Sequence, residues 1–336
     1  MSAGKIFFVC DAEAAIGFGH LSRCLQVADV LRADWDIRFC GRFSPVAKRR
    51  IAERGYAAAA LPECGGLAVV DTMFDREDMD YYDIPRLAGV RRRFARVVVV
   101  SSALTAPANL PADVVIGHML RKTSRASGRA RTLAGLKYAP VSSAFRRARR
   151  PRSAERARIR RVFLGFGGSR DIRGLKTVLD ALALANFTGD VDILLSPFHR
   201  RYEAALRRHT RSYRVRVHFN VASVAALLRG ADVAFGTYGN ITFEALCLGV
   251  PFLAVAVKDF QKAYAARLQK EGVLVSLGRD TELDPARVAA ALTALTPRAR
   301  VSLGRKSRRA VDGLGIERIA RVVAVQARAA EREMAC

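Results

Sequence analysis

The stretch KIFFVCDAEAAIGFGHLSRCL, residues 5–25, combines an apolar run, a glycine-bearing turn and the first part of an amphipathic segment. The apolar run predicts a buried strand, and the apolar residues at 21, 25, 28 and 31 have helical spacing. In an open parallel sheet such a turn lies at the carboxyl end of a strand, where ligands bind. Gly17 and Gly19 allow close backbone approach, and the first helical turn offers N–H groups to an anion. His20 can act there as a base, or can simply cap or pack the helix end.

Length and composition fit a two-domain protein with a full hydrophobic core. The chain has 336 residues, of which 51% are hydrophobic, and no apolar run is as long as a membrane span. Because Met1 is only a few residues from the first strand, we expect no signal peptide. The six cysteines form no C-x-x-C pair, which argues against a disulfide framework or a zinc site and favours a reducing cytoplasm.

The formal charge of +26 suits an anionic membrane surface, anionic substrates or nucleic acid. The densest cluster, Arg146–Arg161, has nine arginines in sixteen residues. A solvated linker explains such a cluster as well as a partner does. Because no aromatic residues interleave with the arginines and no nucleic-acid motif is present, we expect no specific nucleic-acid partner.

Strands and helices alternate in both halves of the chain, which predicts an α/β protein with two parallel sheets. The polar, arginine-rich segment between the halves interrupts this alternation. We therefore predict a domain over residues 1–135, a basic linker over 136–160 and a second domain over 161–336. Two similar α/β halves imply an intervening cleft, which is a preferred place for a ligand.

The second half contains two further candidate anion-binding turns. Gly167-Gly168-Ser169 follows a strand and precedes a helix, but it lacks the Gly-Lys-Ser/Thr ending of an ATPase P-loop. A dinucleotide oxidoreductase is also disfavoured, because Ser22 replaces the third glycine of G-x-G-x-x-G. At the other turn, Gly239 and Asn240 open a helix. Glu244, one turn further, can accept hydrogen bonds from a ribose or can be an ordinary first-turn acid.

Several of these motifs resemble those of the UDP-sugar hydrolases of pseudaminic acid biosynthesis. The matching motifs are Gly17-x-Gly19-His20-x-x-Arg23-Cys24-Leu25, Asp71, Gly135 to Tyr138, Phe166 to Ser169, Gly239 to Glu244, Gly249-Val250-Pro251 and Gln261. That family is related to the glycosyltransferase that adds N-acetylglucosamine to lipid I. The resemblance implies a GT-B fold, in which two Rossmann-like domains carry parallel sheets that face each other across a cleft.

The resemblance also implies a role for each matching residue. His20 would be the catalytic base, Gly168, Ser169 and Asn240 would cradle the diphosphate, and Glu244 would hold the ribose. Backbone at Asn220 and Val221 would recognise the uracil. The full set of implied substrate-binding residues is Gly17, Gly19, Arg23, Asp71, Gly167, Gly168, Ser169, Asn220, Val221, Gly239, Asn240, Thr242, Glu244 and Gln261. The resemblance implies no metal ion and no cofactor.

The sequence departs from the hydrolase pattern at four places, although His20 itself is present. Met73 replaces the tyrosine of D-x-Y, Ser101-Ser102 replaces an Asp-Asp pair, Asn240-Ile241 replaces Ser-Thr, and Phe260 replaces an asparagine. These changes, together with the basic composition, favour a glycosyltransferase that uses a UDP-sugar donor and an acceptor at the anionic membrane surface. The alternatives are the UDP-2,4-diacetamido-2,4,6-trideoxy-altropyranose hydrolase activity and a non-catalytic nucleotide-sugar-binding protein. We expect the protein to be cytoplasmic, either free or peripheral to the inner face of the membrane.

Overall fold

Two parallel β-sheets form the framework of the chain in this computed structural model. The structure describes residues 4–13, 18–71, 82–120, 130–150, 157–166, 172–208, 212–219, 221 and 223–335. The chain divides into unit 1, which is Met1–Ser142 with Leu314–Cys336, and unit 2, which is Ser143–Gly313. None of the helices in the described ranges is long and apolar enough to cross a membrane.

Unit 1 is a parallel sheet with helices on both faces. Within the described residues its strands are β1 (Lys5–Val9), β2 (Asp36–Cys40), β3 (Ala57–Ala58), β4 (Gly65–Asp71), β5 (Phe94–Ser101), β6 (Val114–Gly117) and β7 (Arg131–Ala134), in the order β3-β2-β1-β4-β5-β6-β7. Its helices are α1 (Gly19–Leu31), α2 (Pro45–Glu53), α3 (Ile84–Arg93) and the final helix of the chain, α12 (Gly315–Ala335). The central strands are buried on both faces, as the run Val97–Val100 predicts.

Unit 2 repeats this plan with its own core. Its described strands are β8 (Arg161–Gly165), β9 (Asp190–Leu194), β10 (Arg214–His218), β11 (Val233–Thr237), β12 (Phe252–Ala256) and β13 (Val275–Arg279), in the order β10-β9-β8-β11-β12-β13. Its described helices are α4 (Ser143–Ala148), α5 (Arg173–Leu184), α6 (Glu203–Arg208), α7 (Val224–Gly230), α8 (Asn240–Leu248), α9 (Asp259–Lys270), α10 (Pro285–Ala294) and α11 (Pro297–Ala310).

Both sheets have a topological switch point, which is the place between two neighbouring strands where the strand order reverses its direction. In unit 1 the switch lies between β1 and β4, and in unit 2 it lies between β8 and β11. In open α/β sheets, ligands bind beside such a switch, outside the carboxyl ends of the strands. The topology therefore directs attention to the residues that follow β1 and β4 in unit 1, and β8 and β11 in unit 2.

The domain boundaries differ from the predicted ones at the carboxyl terminus. We predicted that 161–336 would form one domain, but α12 belongs to unit 1 and packs against α1, β4 and β5. Its apolar stripe, which includes Ile316, Ile319 and Val323, joins the same hydrophobic cluster as β1 and α1. Gly315 allows this helix to begin against unit 1, because a Cβ there would lie 2.0 Å from the backbone oxygen of Ala139.

The predicted linker over 136–160 is also structured in part, and it is shared between the units. Residues up to Ser142 belong to unit 1, and α4 belongs to unit 2. Just before this segment, β7 pairs in parallel with β6 at the edge of the sheet. The polar sequence of β7 concealed this strand, because an edge strand needs less apolar surface than a central one.

We predict that Ile319→Ala destabilises unit 1 by about 2–5 kcal/mol, because the side chain is 1% exposed and its loss leaves a cavity. The measurement is urea unfolding followed by the fluorescence of Trp35, the single tryptophan, which lies in the same cluster as Ile319. Val325→Ala is the matched control on α12, since Val325 is 53% exposed. Equal unfolding midpoints for the two variants would contradict the assignment of α12 to unit 1.

Candidate functional site

The switch point of unit 1 brings a histidine and a buried carboxylate together. His20 lies in the first turn of α1, and Asp71 is the last residue of β4. The Nδ1 atom of His20 lies 2.7 Å from Oδ1 of Asp71, and the two side chains are 14% and 0% exposed. The predicted start of a helix at His20 is confirmed, and the histidine has a carboxylate partner that the sequence did not reveal.

Arg23 holds the other side of the Asp71 carboxylate. Its Nε and NH2 groups donate to Oδ2 and Oδ1, each at 2.5 Å, which is the bidentate geometry of a strong arginine–carboxylate pair. Its NH1 group donates to Oγ of Ser102 at 3.1 Å. Sγ of Cys24 lies 3.6 Å from Oδ2 of Asp71. Asp71 therefore has hydrogen-bonding partners at both oxygens.

These contacts keep the buried carboxylate ionised. Burial by itself would raise the pKa of Asp71, but the charge of Arg23 and the hydrogen bonds from His20 and Arg23 hold it well below its usual range. Burial tends to lower the pKa of Arg23, and the adjacent Asp71 charge raises it above its usual value. The pair is thus an anion and a cation that neutralise each other inside the protein.

The ionised state of Asp71 determines which ring nitrogen of His20 carries a hydrogen. Asp71 can only accept, so Nδ1 of His20 carries the hydrogen that is donated to it. NH2 of Arg23 also lies 3.2 Å from Nδ1. Because both nitrogens carry hydrogen in this tautomer, this is a close contact between two donors and not a hydrogen bond. In the neutral imidazole, Nε2 then has a free lone pair, and no described residue forms a hydrogen bond with it. This is the arrangement of a general base oriented by a carboxylate.

The geometry changes the roles predicted for Arg23 and Asp71. We predicted that both would bind substrate, but Asp71 has no exposed surface and Arg23 is 6% exposed. Their polar atoms face each other, His20 and Ser102. They support His20, and the exposed Gly19 lies next to it at the start of α1.

In unit 2 the switch point borders a cavity of about 520 Å³. None of the described residues that line it is charged; they are Gly165, Leu194, Leu195, Ser196, Val221, Val224, Thr237, Tyr238, Gly239, Asn240, Ile241, Val257 and Gln261. The predicted ligand residues Val221, Gly239, Asn240 and Gln261 are therefore brought together. Gly165, Leu194 and Thr237 end β8, β9 and β11, so the cavity lies at the carboxyl edge of the sheet.

The start of α8 forms one wall of this cavity. The N–H group of Gly239 donates to Oγ1 of Thr242 at 3.3 Å, so Thr242 holds the turn that opens the helix. We predicted that Thr242 would contact a ligand, but it is fully buried and does not line the cavity. Its role in the structure is to cap the helix. The first N–H groups of a helix have no intrahelical acceptor, and Asn240 and Ile241, the first two residues of α8, line the cavity.

Gln261 braces two turns beside the cavity. Its Oε1 accepts from the N–H groups of Val257 and Lys258 at 2.7 and 3.3 Å, and its Nε2 donates to the oxygen of Tyr238 at 3.0 Å. The amide thereby connects the turn after β11 to the turn after β12. We predicted a substrate contact for Gln261, but its amide is bonded to protein backbone at both ends.

Glu244 is a half-buried carboxylate one turn into α8, on the side of the helix that includes Asn240 and Ile241. It forms no hydrogen bond or ion pair with another described residue, and burial raises its pKa to about 7. A ligand that donates hydrogen bonds to the carboxylate would satisfy this group. The alternative from the sequence, an ordinary first-turn acid, does not describe Glu244, because α8 begins at Asn240 and Glu244 lies beyond its first turn.

The remaining predicted residues lie outside the described part of the chain. They are Gly17, Gly167, Gly168, Ser169 and Asn220. Within the described part, no three His, Cys, Asp or Glu side chains converge as metal ligands would.

The sequence reasoning missed Ser102 as a support for Arg23 and missed most of the apolar cavity wall. Leu194, Leu195 and Val224 resemble ordinary core residues in sequence. The available signal was topological, because Leu194 and Leu195 mark the carboxyl end of a predicted strand. Residues at that end of any strand near the switch point are candidates to line a site.

The chain has two curated relatives of low identity, and no family model matches it. It is 20% identical to the uncharacterized protein MJ1062 of Methanocaldococcus jannaschii over 282 residues, which are 77% of this chain and 57% of that protein. It is 25% identical to the spore coat polysaccharide biosynthesis protein SpsG of Bacillus subtilis over 211 residues, 61% of each protein. The chain thus spans about three fifths of the length of these relatives.

Solved structures share the fold over nearly the whole chain. MurG of Acinetobacter baumannii matches with a TM-score of 0.70 at 16% identity, covering 95% of this chain and 99% of that one. The calicheamicin glycosyltransferase CalG4 matches at 0.66 and 14% identity, covering 97% and 98%. HepE of Anabaena, solved in complex with UDP, matches at 0.58 and 14% identity, covering 96% and 100%. The two parallel sheets and their helices therefore form a GT-B fold, and the predicted fold class is confirmed.

We predict that Glu244→Gln makes stability less dependent on pH. In the wild type the folded-state pKa of Glu244, about 7, lies above its unfolded value, so its contribution to stability is present below about pH 4.5 and lost as pH rises through 7. The variant should therefore gain on the wild type between pH 5 and pH 8, by at most about 3 kcal/mol.

The measurement is the free energy of urea unfolding at a series of pH values, with Glu203→Gln on α6 as the control. Glu203 is paired with Arg207 on the helix surface, at 2.8 Å. A stability difference between wild type and Glu244→Gln that is the same at pH 5 and pH 8 would show that Glu244 titrates normally.

Proposed function

We propose that the protein is a GT-B enzyme that cleaves the anomeric C–O bond of a UDP-sugar and releases UDP, acting as a glycosyltransferase in surface-glycan or related sugar biosynthesis. The observation that carries this proposal is the contact between His20 and Asp71 at the switch point of unit 1. A buried carboxylate that fixes a histidine tautomer serves proton transfer in many enzymes and contributes little to simple packing.

In the proposed reaction, Nε2 of His20 takes the proton of the attacking hydroxyl group. The imidazolium that forms is stabilised by Asp71, which is ionised and 2.7 Å from Nδ1. The hydroxyl oxygen bonds to the anomeric carbon as the bond from that carbon to the diphosphate breaks. The departing UDP carries away the bonding electron pair.

The nucleotide would be held in the cavity of unit 2. N–H groups at the start of α8, at Asn240 and Ile241, suit the negative charge of a diphosphate. Glu244 would accept hydrogen bonds from the ribose, and the backbone near Val221 would contact the base. Gly167, Gly168 and Ser169 retain their proposed phosphate contacts from the family resemblance. HepE, which shares the fold, binds UDP.

The acceptor decides between a transferase and a hydrolase. Ser102 occupies a position where the resembled hydrolases have an aspartate, and here it accepts a hydrogen bond from Arg23. This difference near the base, together with the basic composition, supports an acceptor hydroxyl, with the protein acting in the cytoplasm or at the inner membrane face. The opening motif around His20 is that of the hydrolases, and it supports water as the second candidate nucleophile. Free sugar as the main product would decide for the hydrolase.

We predict that His20→Asn lowers UDP release from the best donor in a panel of UDP-sugars by about 10²–10⁴-fold, the usual contribution of a general base. UDP is quantified with and without candidate acceptors. His218→Asn is the matched control, because Nε2 of His218 also contacts an aspartate, Asp192, at 2.8 Å. We expect the control to retain a rate near that of the wild type.

An undiminished rate in His20→Asn would contradict the mechanism. A wild-type protein that binds UDP and releases none from any donor would favour the third possibility, a binding protein that has lost its chemistry.

We predict that Gly239→Ala weakens UDP binding at least about tenfold, or about 1.4 kcal/mol, and leaves the fold intact. Gly239 lines the cavity, and a Cβ there would meet no protein atom within 4 Å. The added methyl group would therefore extend into the cavity and take up volume that bound UDP would fill. Binding is measured by isothermal titration calorimetry. Gly89→Ala in α3 of unit 1, where a Cβ would also have room, is the control. Equal affinities for the two variants would place UDP elsewhere.

A further inference from the structure

The described polar groups around His20 and its partners Arg23 and Asp71 are charges, thiols and one hydroxyl. Arg23 and Cys24 come from α1, Asp71 from β4, Ser102 from the segment after β5, and Cys10 from the residue after β1. Burial and Cys10 raise the pKa of the Cys24 thiol well above its usual value, so it is uncharged. Among the described residues, Arg23 and Asp71 are therefore the two charges in contact with the imidazole.

An aspartate beside a histidine both orients the ring and favours its protonated form. A buried negative charge at 2.7 Å stabilises the imidazolium, and a histidine already protonated at working pH has no lone pair to act as a base. In this chain the guanidinium of Arg23 holds both oxygens of Asp71 and lies 3.2 Å from Nδ1. Its charge offsets that of the carboxylate.

We propose that Arg23 is a positioning residue that neutralises the Asp71 charge, so that the carboxylate orients His20 without keeping it protonated. This role rests on the proposed function of His20 as a base. The hydrogen bond from Nδ1 to Asp71 fixes the tautomer, and the bidentate pair with Arg23 prevents the carboxylate from binding the proton needed for turnover. Ser102 holds the third nitrogen of the guanidinium at 3.1 Å and fixes its plane.

The test replaces Arg23 and reads the protonation of His20 directly. In the full chain labelled with ¹⁵N-histidine, two-bond ¹H–¹⁵N spectra report the charge and tautomer of the imidazoles. The sequence has five histidines, and the His20→Gln spectrum identifies the His20 signals by their loss. We expect Arg23→Gln to raise the pH at which His20 loses its proton by about 1–3 units relative to the wild type, because an unopposed carboxylate then faces it.

Arg86→Gln is the matched control. Arg86 forms a two-hydrogen-bond pair with Asp11, which is also buried and also in unit 1. This variant loses an arginine–aspartate pair but not the one at His20, so the His20 midpoint should match the wild type. Arg23→Lys, which keeps the charge and loses the fork, should give a smaller shift than Arg23→Gln.

The same variant changes the pH dependence of UDP release. Arg23→Gln should lose activity near pH 7 and regain it as the pH rises, whereas a merely structural role for Arg23 would lower the rate equally at every pH. If Arg23→Gln does not fold by Trp35 fluorescence, the double variant Arg23→Gln/Asp71→Asn removes both charges. Its His20 midpoint should then lie within about 1 unit of the wild-type value.

An unchanged His20 midpoint in folded Arg23→Gln, or a double-variant midpoint displaced by more than about 1 unit, would overturn the proposal. A wild-type His20 with its proton on Nε2 would overturn it as well. These spectra need no substrate, so a failure to find any active UDP-sugar would count against the proposed function and leave the role of Arg23 decided by the titration.

Discussion

The carboxylate of Asp71 is the constraint on which the site in unit 1 depends. A buried negative charge is costly unless it is paired and hydrogen-bonded, and here both oxygens have partners on α1. The requirement to satisfy Asp71 at the end of β4 fixes the position of the first turn of α1 and with it His20. The fully buried Asp71 thus determines the position of His20, whose Nε2 has the free lone pair.

Unit 2 has the same topology but stabilises charge in a different way. Its cavity has no charged residue among the described lining residues, although the whole chain has a formal charge of +26. Negative charge on a ligand would be met by backbone N–H groups at the start of α8, with Gln261 and Thr242 holding the turns that present them. Among the described lining residues, oriented backbone and side-chain dipoles are thus the groups available to a charged ligand.

Local sequence patterns predicted most of the fold because the elements that form the two sheets are locally consistent. The apolar run that opens the chain forms β1, and the amphipathic segment after Gly19 forms α1, as predicted. The position of α12 was not predicted, because its apolar stripe indicates that it packs but not against which unit. The strand β7 was not predicted for the same reason, because it is defined by its pairing with β6, which local sequence does not reveal.

The structure brings several of the predicted residues together, but it gives some of them contacts other than the predicted ones. His20, Asp71 and Arg23 do come together, as do Gly239, Asn240 and Gln261. Spacing along the chain, however, does not reveal that Asp71 would be fully enclosed or that the Gln261 amide would bond to backbone. A motif indicates which residues converge, while burial and hydrogen-bond partners decide which of them face a ligand.

The central claim is that the anomeric C–O bond of a UDP-sugar breaks and that UDP leaves intact. The most direct test is turnover of the best UDP-sugar in ¹⁸O-enriched water, with mass spectrometry of the nucleotide and sugar products. The account predicts UDP free of ¹⁸O, with label in the sugar only if water is the nucleophile. Incorporation of ¹⁸O into the phosphates of UDP or UMP would mean that a P–O bond breaks, and would contradict the account.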